Sequence, residues 1–389
     1  MPHTRSGPET WCRARSLEQT ASILKDSASA FGVSRVGSIT RLDGIGLPTV
    51  TAIRSDPIGE SVSVSTGKGP TELHAQVGAL AEALERYCAE PRGRLHICSC
   101  RADELNEPIL LPARLILPED VDGSGVVDWC AGRALDGSPV WVPANAVLFP
   151  YIPTGRAERL FAAHTTGLAA GASTEEALVF ALLECIERDA YSRGVALATA
   201  GHGERIPVVD LESARAIALD ELEAIQSRGH DILIRDLTCD SEVPCYLCTI
   251  HDGVLTHLGV AARPDAINAL RAAIQEAAQS RLTDIQGARE DLTDRDSSAP
   301  VHSWFLTGGS AEIVPIRSGW SAASPQEVVA GLDARLRALE PSVQSAWVDL
   351  SLEGVNLAVV RAITPGLEIW AFDPFRVGPR AREWLCPSE

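Results

Sequence analysis

Two stretches of this chain place pairs of glutamates and an arginine inside otherwise apolar helical segments. The first is Glu82-x-x-Glu85-Arg86, flanked by Ala79, Leu80, Ala81, Ala83 and Leu84. The second is Glu184-x-x-Glu187-Arg188, flanked by Ala181, Leu182, Leu183, Cys185 and Ile186. Residues i and i+3 lie on one face of a helix, so each pair presents two carboxylates side by side. An isolated E-x-x-E-R reads as a solvated face with local ion pairs. A helix apolar nearly all round is instead a packed helix. Charge there must be paired or must hold a metal, because unpaired burial is too costly. A third helix, expected from Asp265 to Ile285, carries Glu276, Gln279 and Arg281. Bringing two such helices together would make a pocket of four carboxylates and several guanidiniums. Such a pocket suits a magnesium-bound triphosphate, with acids on the metal and arginines on phosphate oxygens.

Charge and hydropathy limit the alternatives. Lys and Arg number 34 against 52 Asp and Glu, a formal net charge of -18. That balance disfavours nucleic acid and anionic membrane as partners, since phosphate neutralisation needs a basic surface. No run of about 18 apolar residues is present, and the first residues lack an apolar core, so neither a span nor a secretory signal is expected. A cytoplasmic protein with reduced thiols follows. His96, Cys98 and Cys100 alternate along one expected strand. Cys245 and Cys248, if on a strand, point to opposite faces, which spoils a shared metal ion. They read as small buried hydrophobes.

The order of elements is legible. Leu17–Phe31 reads as a helix stopped by Gly32, and Pro48–Arg54 and Glu60–Ser65 as strands. Gly67 to Pro70 reads as a turn, with Thr71 capping the first glutamate helix. Lys68 sits in a loop resembling a phosphate cradle, yet G-x-x-x-x-G-K-[ST] is absent, so it is not a Walker loop. Residues 91–160 mix short strands with proline turns and could form a substrate platform. Thr165 to Gly171 reads as a small-residue loop before the second glutamate helix, capped by Ser173 or Thr174. Helices Leu211–Arg228 and Pro325–Leu339 follow. So do strands Asp231–Asp236, Val243–Ile250, Leu255–Ala262, Ser345–Asp349 and Asn356–Ile363. Ser297–Ala299 and Gly308-Gly309 mark a flexible stretch. Strands in runs between helices indicate an α+β fold.

Three blocks in order resemble the YcaO family. They are Ser65 to Gly69 followed by A-L-x-E-x-x-E-R-Y, the T-G-L-A-A-G segment followed by Leu182 to Asp189, and A-L-R-A-A-I-Q-E-A-A-Q-S-R-L. Gly287 to Leu292 and Pro365 to Glu368 are most similar to the stand-alone and TfuA-associated branch. The likeness covers roughly residues 12 to 380 and implies one intertwined domain over 1–380 with a tail at 381–389. It implies packed sheets and helices around a non-Walker ATP site. It also implies ATP and Mg2+ as cofactors, activation of a backbone amide in a ribosomally made precursor peptide, and a homodimer. The products in such a family are an azoline, a thioamide or an amidine.

By this resemblance Glu82, Glu85, Glu184 and Glu187 hold magnesium. Lys68, Arg86, Glu176, Arg188, Glu276, Gln279 and Arg281 bind nucleotide, joined by Arg13 and Thr20 near the N-terminus. Ala172 stands where many members have Asn, and Gly78 where many have Ser. The chain ends WLCPSE rather than in a P-x-P-x-P tail. This points away from partner-dependent azoline synthesis and towards thioamidation with a TfuA-like partner, or stand-alone cyclisation. A different ATP-dependent ligase or kinase is the alternative reading.

Overall fold

The computed structural model describes residues 13–290 and 303–386, apart from 321, 323 and 341–343. Ser297–Ala299, the first twelve residues and the last three lie outside the described residues. Helix α1 (Leu17–Ser27) opens with a capping box in which Ser16 and Gln19 satisfy each other's backbone N–H. A 3-10 turn carries it to Gly32, at φ 76°. Strands β1 (Val33–Ser38), β2 (Thr49–Arg54) and β3 (Val64–Lys68) form an antiparallel three-stranded sheet in that order. Helix α2 (Glu72–Ala89) follows, with the Thr71 side chain accepting from His74 N.

The six-stranded sheet has the order β4–β5–β13–β14–β7, with β6 beside β5. Its members are β4 (Ile97–Cys100), β5 (Val127–Ala134), β6 (Pro139–Pro143), β7 (Leu168–Gly171), β13 (Ala346–Asp349) and β14 (Ala358–Ile363). Strands from the 91–160 region are therefore built into one sheet with the C-terminal strands. After β7 comes α3 (Thr174–Thr199), capped by Ser173. The third sheet runs β11–β10–β9–β8–β12. It contains β8 (Val208–Val209), β9 (Asp231–Asp236), β10 (Cys245–His251), β11 (Thr256–Ala262) and β12 (Ile313–Val314). Helices α4 (Leu211–Gln226), α5 (Ala266–Gln286), α6 (Pro325–Leu339) and α7 (Pro379–Leu385) complete the fold. Among the described residues, no helix is long and apolar enough to cross a membrane.

Cys245 packs in the core under α3 and Cys248 in the core under α5, so the two thiols do face opposite sides of β10. Cys98 and Cys100 share a face, their sulfurs 3.7 Å apart.

Three expectations are corrected. The strand expected over Glu60–Ser65 is Val64–Lys68, so Gly67 and Lys68 belong to β3 rather than to a turn. The reason is steric. A Cβ on Gly67 would lie 2.1 Å from Ala75 O and 2.2 Å from Ala79 N, so only glycine lets this strand press on α2. Half of the loop expected over Thr165 to Gly171 is strand β7, whose small residues pair with β14. The tail expected from 381 starts as helix α7, which buries Ala381 and Trp384 against the α3 core.

Candidate active site

Three units share one plan: a strand, a turn of two or three residues, and a helix capped by Thr71, Ser173 or Asp265. The units are β3–α2, β7–α3 and β11–α5. Their helices carry the acidic residues on turns well past the cap, and those side chains stitch the units together. Glu82 Oε2 accepts from Thr66 N of its own strand at 2.9 Å. Glu85 Oε1 accepts from Ala170 N in β7 at 2.6 Å. Glu184 Oε2 accepts from Gly167 N, just before β7, at 3.0 Å. Glu187 Oε2 accepts from Ala262 N at the end of β11, at 3.2 Å. From α5, Gln279 Nε2 donates to Thr66 O at 2.5 Å, and Glu276 pairs with Lys68 Nζ at 2.6 Å. Each helix thus reaches the next unit's strand, and the third reaches back to the first. The site is a closed ring of three units, not the two-helix pocket expected.

The carboxylates behave as one electrostatic cluster. Each is half-buried, with protein on most sides. Burial raises the Glu85 carboxyl to about 8, and the Glu82 and Glu184 charges add to the rise. Burial raises Glu187 to about 8 as well, helped by Glu276. Glu184 is also raised, chiefly by burial, against the pull of Arg188 and Arg361. Arg86 pairs with Glu82 at 2.9 Å and Arg188 with Glu184 at 3.4 Å. The Arg188 guanidinium also lies over the Phe372 ring, 4.4 Å from its centroid.

These shifts have a sign. A carboxyl whose folded value lies above its ordinary 4.5 binds more protons folded than unfolded, so it lowers stability as pH rises from 4.5 through about 8. The ligand-free chain is expected to show a falling Tm across that window from these groups, and a divalent cation with nucleotide should flatten the slope. A Tm that rises across the window in the ligand-free chain would contradict this assignment.

The other expected residues divide. Arg13 Nη1 pairs with Glu176 Oε1 at 2.8 Å, and Ala14 N donates to Glu176 Oε2, so the N-terminal segment is tied to the start of α3. Thr20 turns its hydroxyl back to Ser16 O at 3.0 Å. Arg281 forms its ion pairs with Asp252 and Asp43, not with the ring. The reason is helical phase: two residues beyond Gln279 turns Arg281 to another face of α5. What sequence reasoning missed is Arg361 on β14, which acts on Glu184 through its charge. A lone arginine in an apolar strand was the available signal.

Among the described residues, no three acidic, histidine or cysteine side chains converge closely enough to cage a metal ion unaided. Magnesium seldom takes an all-protein cage; it keeps waters and shares substrate phosphates through one or two carboxylates. The spread of donors here fits that mode.

Residues 66–368 match the family model described as YcaO cyclodehydratase, ATP- and Mg2+-binding. An uncharacterized protein of Methanothermobacter thermautotrophicus is 34% identical over 387 residues, covering 94% of this chain and 97% of that protein. A protein from the tfuA 3′ region of Rhizobium leguminosarum bv. trifolii is 32% identical over 384 residues, covering 92% and 89%. YcaO from Methanopyrus kandleri bound with AMPPCP and Mg2+ superposes with a TM-score of 0.75 at 25% identity, covering 95% of this chain and 96% of that one.

Proposed function

The chain belongs to the YcaO family, and from this premise we propose that it uses ATP and Mg2+ to activate a backbone amide of a ribosomally made peptide. The observation that carries the reading is the three-unit ring of glutamates, with Lys68, Arg86 and Arg188 set among them. Glu82, Glu85, Glu184 and Glu187 are the residues that would hold magnesium. Lys68, Arg86, Arg188 and Gln279 would meet the nucleotide, and Arg13 and Glu176 would fasten the N-terminal segment over it. ATP supplies a phosphoryl group that makes the amide oxygen, a poor leaving group, a good one.

The chain's own task is positioning and charge control. The Arg86–Glu82 and Arg188–Glu184 pairs neutralise carboxylates that would otherwise repel. With those carboxylates on a metal ion, the Arg86 and Arg188 guanidiniums would be free for phosphate oxygens. Glu85 and Glu187, raised to about 8 by burial, would hold a cation only in their deprotonated form.

An internal Cys, Ser or Thr side chain as nucleophile would give an azoline, an amine an amidine, and external sulfide a thioamide. The thioamide is favoured by one observation, the relative found beside tfuA. The test is intact-mass spectrometry of precursor peptides encoded beside the gene, after incubation with enzyme, ATP and Mg2+, with and without sulfide and a TfuA-like protein. Exchange of one oxygen for sulfur that requires sulfide is the expected result. Loss of one water without sulfide would support cyclisation instead. ATP consumed only with a free small-molecule acid or alcohol would overturn the peptide reading.

A further inference from the structure

Beside Cys185, the neighbour of Glu184, lies a cavity of about 50 Å³ that the proposed reaction leaves without a role. Its walls are β14, the segment that follows it, and the approach to β7. It is lined by Arg361, Arg376, His164, Thr166, Thr364 and Cys185, among others, and no acidic residue lines it. Two guanidiniums therefore meet one space with no carboxylate on its wall.

Both arginines are buried. Arg361 Nε donates to Ala146 O at 3.0 Å, and its Nη2 to His164 O at 2.6 Å. Its Nη1 is buried with no hydrogen-bond partner. Arg376 Nε donates to Ile116 O at 2.8 Å, and the guanidinium lies 4.0 Å from the Phe161 ring centroid. Neither arginine lies within ion-pair distance of an acid among the described residues. Glu184 is within electrostatic reach of Arg361, yet its contacts go to Arg188 and Gly167 N.

His164 sits between them, Nδ1 3.3 Å from Arg361 Nη2 and Nε2 3.2 Å from Arg376 Nη1. A neutral imidazole accepts at one nitrogen only. One of these two contacts therefore sets donor against donor. The cavity has surplus donors and surplus positive charge.

A buried charged donor left without a partner is expensive unless a guest completes it. Two guanidiniums call for a doubly charged guest. A carboxylate would balance only one of them, whereas a tetrahedral oxyanion presents several acceptors to a fork. The place fits as well. Cys185 lines the cavity and directly follows Glu184, and Thr166 directly precedes Gly167, whose N–H Glu184 holds.

We propose that this cavity, built on Arg361, Arg376 and His164, is a binding pocket for inorganic phosphate, separate from the nucleotide's own contacts. That the phosphate is the one cleaved from ATP rests on the proposed function; the pocket itself does not. Its role would be to take up the product and so draw it from the reacting amide.

The test uses the full chain without nucleotide. Inorganic phosphate, sulfate, acetate and chloride are titrated at matched ionic strength, with thermal unfolding and calorimetry as readouts. Phosphate is expected to raise the wild-type Tm beyond acetate and chloride. Arg376→Lys keeps the charge but loses the fork, and should weaken phosphate about tenfold or more. Its affinity for a non-hydrolysable ATP analogue should stay within about twofold of wild type, a difference of under 1 kcal/mol. No phosphate-specific stabilisation of the wild type overturns the pocket, and this needs no variant to fold. Weakened analogue binding with phosphate binding intact also overturns it, because Arg376 then serves the nucleotide. Phosphate binding with no analogue binding in the wild type would support the pocket and sink the proposed function instead.

Discussion

Replacing Glu187 by glutamine is expected to weaken magnesium-dependent nucleotide binding roughly a hundredfold while leaving a folded, and at alkaline pH more stable, protein. The side chain is held in place by one bond, from Ala262 N at 3.2 Å. A carboxamide oxygen can accept that bond equally well, so the link between α3 and β11 survives. What disappears is the charge. Losing one carboxylate from a half-buried metal site should cost about 3 kcal/mol of binding, roughly a hundredfold in affinity. The same change removes a group that must ionise against burial as pH rises from 4.5 through about 8. Tm should therefore match wild type near the lower end of that window and exceed it near the upper end. Calorimetry with a magnesium–nucleotide analogue and thermal scans at both ends check the two halves separately. Undiminished analogue affinity would remove Glu187 from the site.

Gly67→Ala should be among the most damaging single-methyl changes in the chain. The new Cβ would sit 2.1 Å from Ala75 O and 2.2 Å from Ala79 N, both backbone atoms that cannot turn away. Strand β3 and helix α2 must then separate. Gly259 occupies the matching place in the β11–α5 unit, where a Cβ would lie 2.2 Å from both Ala273 O and Ala277 N. A loss of about 3 kcal/mol of unfolding free energy is expected, the upper range for overpacking. Nucleotide binding should fall with it, because Thr66 N and O position Glu82 and Gln279. Gly37→Ala on β1, where a Cβ meets nothing within 4 Å, is the control and should stay within about 0.5 kcal/mol. Urea unfolding of the three proteins decides it; equal stabilities would mean that the strand–helix contact is not as close as described.

Local chemistry was readable one residue at a time: Thr71 and Ser173 as caps, Gly32 as a helix stop, the opposite faces of Cys245 and Cys248. Helix α6 falls on Pro325–Leu339 as its pattern indicates, because a proline at the start and an apolar stripe are local signals. Strand edges near the site were displaced by a few residues. There the deciding force is contact with a helix distant along the chain, and small residues such as Gly67 and Ala170 carry little pattern of their own.

By itself the sequence determined that two packed helices must carry paired acids, and that such acids need a cation or a partner, because charge inside an apolar environment is too costly to leave alone. Tertiary structure alone decided that three units close into a ring. It alone decided that Glu85 and Glu187 reach across to strands of other units, and that Arg281 turns away from them. It also gathered Arg361, Arg376 and His164 around one space. These residues are far apart in sequence, and no helical or strand period links them. Their meeting depends on how sheets and helices pack, which residue spacing does not encode.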